Sequence, residues 1–160
     1  MKELLDAVLT SNATPPLRAK KGSFVVEETL GAGLLFASLF RSKPQNYALI
    51  ATNQYSAQRL YEFFLNFLPE EQVVFFPSDE LLRASALSSS RELLSQRLYA
   101  LGQLQDTSSK KILITHPSAL LRYLPSPKQF KEETLCFQVG DHCDLKQLKA
   151  RLLDAGYTAN

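Results

Sequence analysis

Apolar residues along this chain come in short runs of strand length, separated by segments of helical periodicity. The runs are Phe24–Val26, Tyr47–Ala51, Val73–Phe76 and Lys111–Thr115. Continuous apolar runs this short are typical of parallel strands that are covered on both faces. The alternation of strands and helices predicts an α/β fold, a parallel sheet with helices on both faces and right-handed crossovers.

Helical patterns precede and follow the second apolar run. A short amphipathic helix is predicted before Pro15, and a helix from Gly31 to about Arg41 is apolar nearly all round. Asn53 is placed to cap the next helix, because its side chain can accept a hydrogen bond from the first turn. The apolar face of that helix is predicted to consist of Leu60, Phe64, Phe67 and Leu68.

Two further helices are predicted in the second half of the chain. Ser89 and Glu92 form a capping box, which opens a helix after the third strand. One apolar stripe is predicted on that helix, made of Leu94, Leu98 and Leu101. Pro117 suits the first turn of a helix that runs to about Tyr123.

The sequence pattern changes at Pro125-Ser126-Pro127. Beyond it, Leu135–Val139 is predicted as a strand, Asp144 begins a helix, and Gly156 lies where a C′ glycine belongs. A lone strand and helix cannot close a core. We therefore divide the chain into an N-terminal helix with linker (1–22), an α/β module (23–127) and the truncated beginning of a second small α/β domain (128–160).

Composition narrows the class of protein. The chain has 160 residues, 45% of them hydrophobic and 21% charged, which is ordinary for a soluble globular protein. Its net charge of +2 gives little drive toward nucleic acid or membrane. No apolar stretch is long enough to span a membrane. Cys136 and Cys143 have no framework spacing, which favours a reducing cytoplasm.

The strongest chemical signal is a phosphate-binding loop with the wrong residues. After the first strand, the register of the G-x-x-x-x-G-K-[ST] motif keeps its second glycine, Gly33, and Gly31 lies inside the loop. Glu28 replaces the first glycine, Leu34 the lysine and Leu35 the hydroxyl residue. The lysine would hold the β- and γ-phosphates and the hydroxyl would hold Mg²⁺. We therefore predict a nucleotide-binding fold that has lost its nucleotide, with no cofactor.

Other groups of residues that resemble metal-binding, catalytic or base-stacking sites have simpler structural explanations. Asp79-Glu80 resembles an acidic Mg²⁺-binding pair, but acidic residues also favour a helix N-terminus. His116, His142 and Cys143 lack the spacing of metal ligands. The serines Ser88–Ser90 have no nucleophile-elbow sequence around them. The aromatic residues between Tyr55 and Phe67 have helical spacing, which favours core packing over base stacking. We predict no catalytic residue and no metal ligand.

The order of the segments resembles the N-terminal module of bacterial transcription-repair coupling factors. The resemblance covers residues 22–158 and depends on an ordered set more than on any single motif. That set comprises Ala48–Thr52, Ala57–Glu62, Val74–Glu80, Glu92–Leu98, Ile114–Leu120, Val139–Asp141 with Asp144-Leu145, and Leu152–Tyr157. One departure is the segment Glu80–Ser85, where the family has an aromatic residue and a Leu-Pro-Tyr-Asp-like run.

The resemblance implies a RecA-like fold and a role in repair. The family module is similar to excinuclease component B, the damage-recognition protein, but it has lost that protein's working phosphate loop and its DNA-inserting hairpin. Leu34-Leu35 and the short Arg83–Ser89 segment fit both losses. The resemblance also implies a longer polypeptide, an ATP-driven DNA translocase that binds RNA polymerase and DNA through downstream domains. Its second domain is expected to recruit excinuclease component A.

Two classes of function follow for the fragment itself. The favoured one is a non-catalytic scaffold and interaction module, whose surface for excinuclease component A is incomplete here and which also contacts other domains of the full-length protein. The alternative is a fragment similar to excinuclease component B or to a helicase, with an atypical ATP site. Leu34 discriminates between them, because such enzymes depend on the loop lysine.

Overall fold

The computed structural model describes most of the chain, in two compact units divided between Tyr123 and Leu124. The described residues are 2–10, 28–78, 91–121, 123–140, 142–155 and 157. Several sequence predictions lie outside them: the strand Phe24–Val26, the acidic pair Asp79-Glu80, the shortened segment Arg83–Ser89 and the C′ glycine Gly156.

The first unit alternates helices and strands, as predicted. Its helices and strands are α1 (Lys2–Thr10), α2 (Thr29–Ser42), β1 (Tyr47–Ile50), α3 (Gln54–Leu65), β2 (Val73–Phe75), α4 (Arg91–Gln105) and β3 (Ile112–Thr115). Two 3₁₀ helices, Glu70–Gln72 and Pro117–Leu120, precede β2 and follow β3. Pro117 occupies the first turn as predicted, but the helix it opens is one short 3₁₀ turn that ends at Leu120 rather than near Tyr123.

The described strands form one parallel sheet in the order β1-β3-β2. β3 is central, with Tyr47 and Val73 both opposite Ile112 in the register. Since consecutive parallel strands need crossovers, the connecting helices must cover the faces of the sheet. The predicted α/β fold is confirmed, and three of the four strands predicted before Pro125 lie in the described residues and are observed.

One face of the sheet is covered by α1, α2 and α3. Phe64 from α3 is fully buried there beside Ile112 and Ile114 of the central strand. Leu5 of α1 is also fully buried in this cluster, so α1 packs into the same unit as the sheet. Aromatic residues of α3 serve packing as predicted, with the Tyr61 ring stacked on Phe75 at a centroid distance of 5.5 Å, but for Tyr55 the prediction is wrong, because its side chain is exposed.

The other face carries a smaller cluster under α4. Val74, Phe76 and Ala100 are buried there, and Leu113 packs against them. Arg97 is 7% exposed as a residue, and its guanidinium carbon lies 4.2 Å from the centroid of the Phe76 ring. Its Nη1 donates to the carbonyl oxygens of Pro77 at 2.6 Å and Ala119 at 3.3 Å. Arg97 thus joins α4 to the segments that follow β2 and β3.

The predicted apolar stripe of α4 is wrong in part. Leu101 packs against the core, but Leu94 and Leu98 are 53% and 48% exposed. Arg97 and Ala100 occupy the buried positions instead. The helix is therefore rotated so that a long cationic side chain, with its own hydrogen-bond partners, faces the sheet.

A tight turn sets the start of β3. The Asp106 carboxylate accepts hydrogen bonds from the backbone N–H and hydroxyl of Ser108 and from Lys111 Nζ at 3.1 Å. These bonds, led by the backbone N–H of Ser108, lower the pKa of Asp106 to about 2. Lys111 is buried, and its backbone N–H donates to the Asn46 side chain, which anchors the turn beside β1.

The second unit begins at Leu124, four residues before the boundary expected from the sequence. It contains α5 (Pro127–Glu133) and α6 (Leu145–Asp154). None of its described residues is buried. Asp144 caps α6 as predicted, but the predicted strand Leu135–Val139 is wrong, because these residues pair with no described strand.

Sequence reasoning missed α5 although its signals are present. Ser126 and Gln129 form a capping box, and Pro127 occupies the first helical turn. The Ser126 hydroxyl accepts from Gln129 N at 3.3 Å, and Gln129 Oε1 accepts from Ser126 N at 3.1 Å. The Ser-Pro-x-Gln pattern thus begins a helix here rather than a linker.

Replacing Phe64 tests the core assignment. We expect Phe64→Ala to reduce the free energy of unfolding by about 3–5 kcal/mol, because the side chain is fully buried. Tyr55→Ala on the same helix, where the side chain is 71% exposed, should cost less than about 1 kcal/mol. Urea denaturation followed by circular dichroism measures both. A loss below about 1 kcal/mol for Phe64→Ala would mean that the α3 face is misassigned.

Candidate functional site

The residues that align with a phosphate loop are wound into a helix. Glu28 is the N-cap of α2 in extended conformation, and its side chain makes no capping bond. The backbone N–H groups of Gly31 and Ala32 donate to the Glu28 carbonyl oxygen at 3.0 and 3.3 Å. A phosphate loop binds its ligand with such N–H groups, held free in an open nest. Here these two donors are already used.

Gly33 has a packing role in this helix. It is buried, and a Cβ atom built on it would lie 3.0 Å from Phe63 Cδ1 and 3.2 Å from Leu60 Cδ2. A Cβ atom here would force these side chains to shift by a few tenths of an ångström, and glycine lets α2 approach α3 without that shift. The glycine that the loop motif shares with this chain is therefore explained by helix packing.

The two leucines that replace the lysine and hydroxyl residues belong to the body of α2. Both Leu34 and Leu35 are half-buried, and Leu34 packs against the main core cluster. The Leu34 carbonyl oxygen accepts a hydrogen bond from the Ser38 hydroxyl at 2.8 Å. Neither side chain carries a charge or a donor, so the position offers nothing that would bind phosphate or Mg²⁺.

A cleft of about 390 Å³ lies between α2, β1 and the beginning of α3. None of the described residues that line it is charged. Its polar lining comes from the hydroxyl residues Thr29, Thr52 and Ser56, and the Asn53 side chain already caps α3 by accepting from Ser56 N at 2.8 Å. The described lining therefore offers no cation toward the charge of a triphosphate.

The other candidate residues do not assemble into a site within the described part of the chain. His116 is buried after β3; its Nε2 has no hydrogen-bond partner among the described residues, and burial lowers its pKa. His142 and the free thiols Cys136 and Cys143 are exposed in the second unit. No group of three potential metal ligands occurs among the described residues. Asp141 and Ser88–Ser90 lie outside those residues.

The helices that the structure describes are too short or too polar to cross a membrane.

Comparison with known proteins yields several relatives that share one name. Transcription-repair-coupling factor of Haemophilus influenzae is 32% identical over 130 residues, 81% of this chain and 11% of the relative. The protein of the same name from Bacillus subtilis is 30% identical over 68% of this chain, and that from Rickettsia bellii 34% over 58%. These cover 9% and 8% of the relatives. No family model and no solved structure matches the chain at a significant level.

The fold defines a class, an α/β domain whose described strands form a three-stranded parallel sheet and whose segment aligned with the phosphate-loop motif is helical. Within that class, the chain is similar to the transcription-repair-coupling factors of bacteria, and the resemblance predicted from its sequence is confirmed. The chain spans about a tenth of the length of these relatives.

The packing role of Gly33 is testable with a matched pair of variants. Gly33→Leu should reduce the free energy of unfolding by about 1–3 kcal/mol, because the new side chain collides with Phe63. Gly102→Leu, in α4, meets nothing within 4 Å and should be neutral or stabilising by up to about 1 kcal/mol. Urea denaturation measures the free energy of unfolding of both variants. Equal effects would show that Gly33 does not serve the α2–α3 contact.

Proposed function

We propose that this chain is a non-catalytic scaffold and interaction module of a transcription-repair-coupling factor. In the full-length protein, an ATP-driven DNA translocase would release RNA polymerase stalled at lesions and bring in the excision-repair excinuclease. Those activities, and the contacts with RNA polymerase and DNA, belong to parts of the polypeptide outside residues 1–160. These steps would take place in the cytoplasm.

The proposal rests on the conformation and the residue types of the segment that aligns with the phosphate-loop motif. Residues 29–35 lie in α2, two of their N–H groups bond to Glu28 O, and leucines occupy the two ligand positions. An NTPase needs the lysine, the hydroxyl and a free backbone nest together. A segment that lacks all three supports a structural role for the domain.

The second unit supports a role in recruitment. Large apolar side chains are exposed on it, among them Phe137, Val139, Leu145 and Tyr157. α6 presents Leu148 and Leu152 only half-buried, with no described core residue beneath them. Exposed apolar residues in a small unit favour binding to a further protein surface or to the rest of a domain. We assign this unit to the domain that recruits excinuclease component A, with its surface incomplete in this chain.

Nucleotide binding separates the scaffold from the enzymatic alternative. We expect no saturable binding of a fluorescent ATP analogue with Mg²⁺ to the chain, because the loop provides neither charge nor free donors. Equilibrium titration followed by anisotropy measures it, with a working phosphate-loop ATPase as positive control. Saturable binding in the micromolar range would favour the alternative, a helicase-like fragment with an atypical site.

If the second domain recruits excinuclease component A, its capture should depend on how much of that domain the chain contains. Residues 124–160 contain two short helices, which is too little for a preorganised interface of about 800 Å² per partner. We therefore expect excinuclease component A to be captured poorly by residues 1–160 and well by a version extended to the end of the second domain. A pull-down at equal bait density compares the two lengths. Equal capture would place the contact within residues 1–160 and contradict the scaffold assignment.

A further inference from the structure

We draw no further inference here: the strongest candidate, the cavity of about 300 Å³ between β1, the last turn of α4 and the turn at Asp106, indicates no class of ligand, because the ammonium of Lys111 in its lining is already paired with the Asp106 carboxylate at 3.1 Å and nothing in the structure shows what covers its apolar side.

Discussion

Burial of β3 between two layers is the constraint on which the rest of the first unit depends. Its side chains alternate, with Ile112 and Ile114 in one cluster and Leu113 in the other, so both clusters exist only while this strand is in place. Its backbone pairs with β1 and β2 at once. The Asp106 turn at one end and the hydrogen bond from the Thr115 hydroxyl to Phe76 O, 2.9 Å, at the other fix its register.

Arg97 extends this arrangement beyond the strand ends. A buried guanidinium is costly unless its donors are satisfied, and here it bonds to two backbone carbonyl oxygens and lies over an aromatic ring. Hydrogen bonds to charged groups contribute about 1.5–3 kcal/mol. Both bonds come from the one nitrogen Nη1, and arginine suits the place because its planar guanidinium can also stack on the Phe76 ring. The same residue explains why α4 turns Leu94 and Leu98 outward.

The sequence predicts the strands well because a buried parallel strand leaves a continuous apolar run, as at Tyr47–Ile50 and Ile112–Thr115. It predicts α4 less well, because leucine spacing does not reveal that a cation with backbone partners takes the inner face. The predicted strand Leu135–Val139 fails because its apolar residues have no sheet to join in the described second unit. α5 was missed because Pro125-Ser126-Pro127 is equally typical of a linker and of a capped helix start.

At the candidate site, residue types were readable from the sequence but conformation was not. The sequence places Leu34 and Leu35 where ligands should be, and that substitution alone predicts the loss of nucleotide. The sequence does not reveal that the N–H groups of Gly31 and Ala32 donate to Glu28 O within the first turn of α2. It also does not reveal that Gly33 packs against Phe63. The Gly33–Phe63 contact joins residues that are distant in the sequence, so local patterns do not reveal it. The helical conformation of this segment and its altered side chains both support the proposal that it binds no nucleotide.

The most direct measurement restores the side chains of the phosphate-loop motif and leaves the helical conformation of α2 unchanged. The triple variant Glu28→Gly, Leu34→Lys and Leu35→Ser recovers the loop motif, and isothermal titration with ATP and Mg²⁺ then measures binding. If the closed first turn of α2 and the Gly33–Phe63 contact exclude phosphate, the folded variant binds no ATP. Binding in the micromolar range by the triple variant would contradict this account, because the side chains alone would then explain the loss.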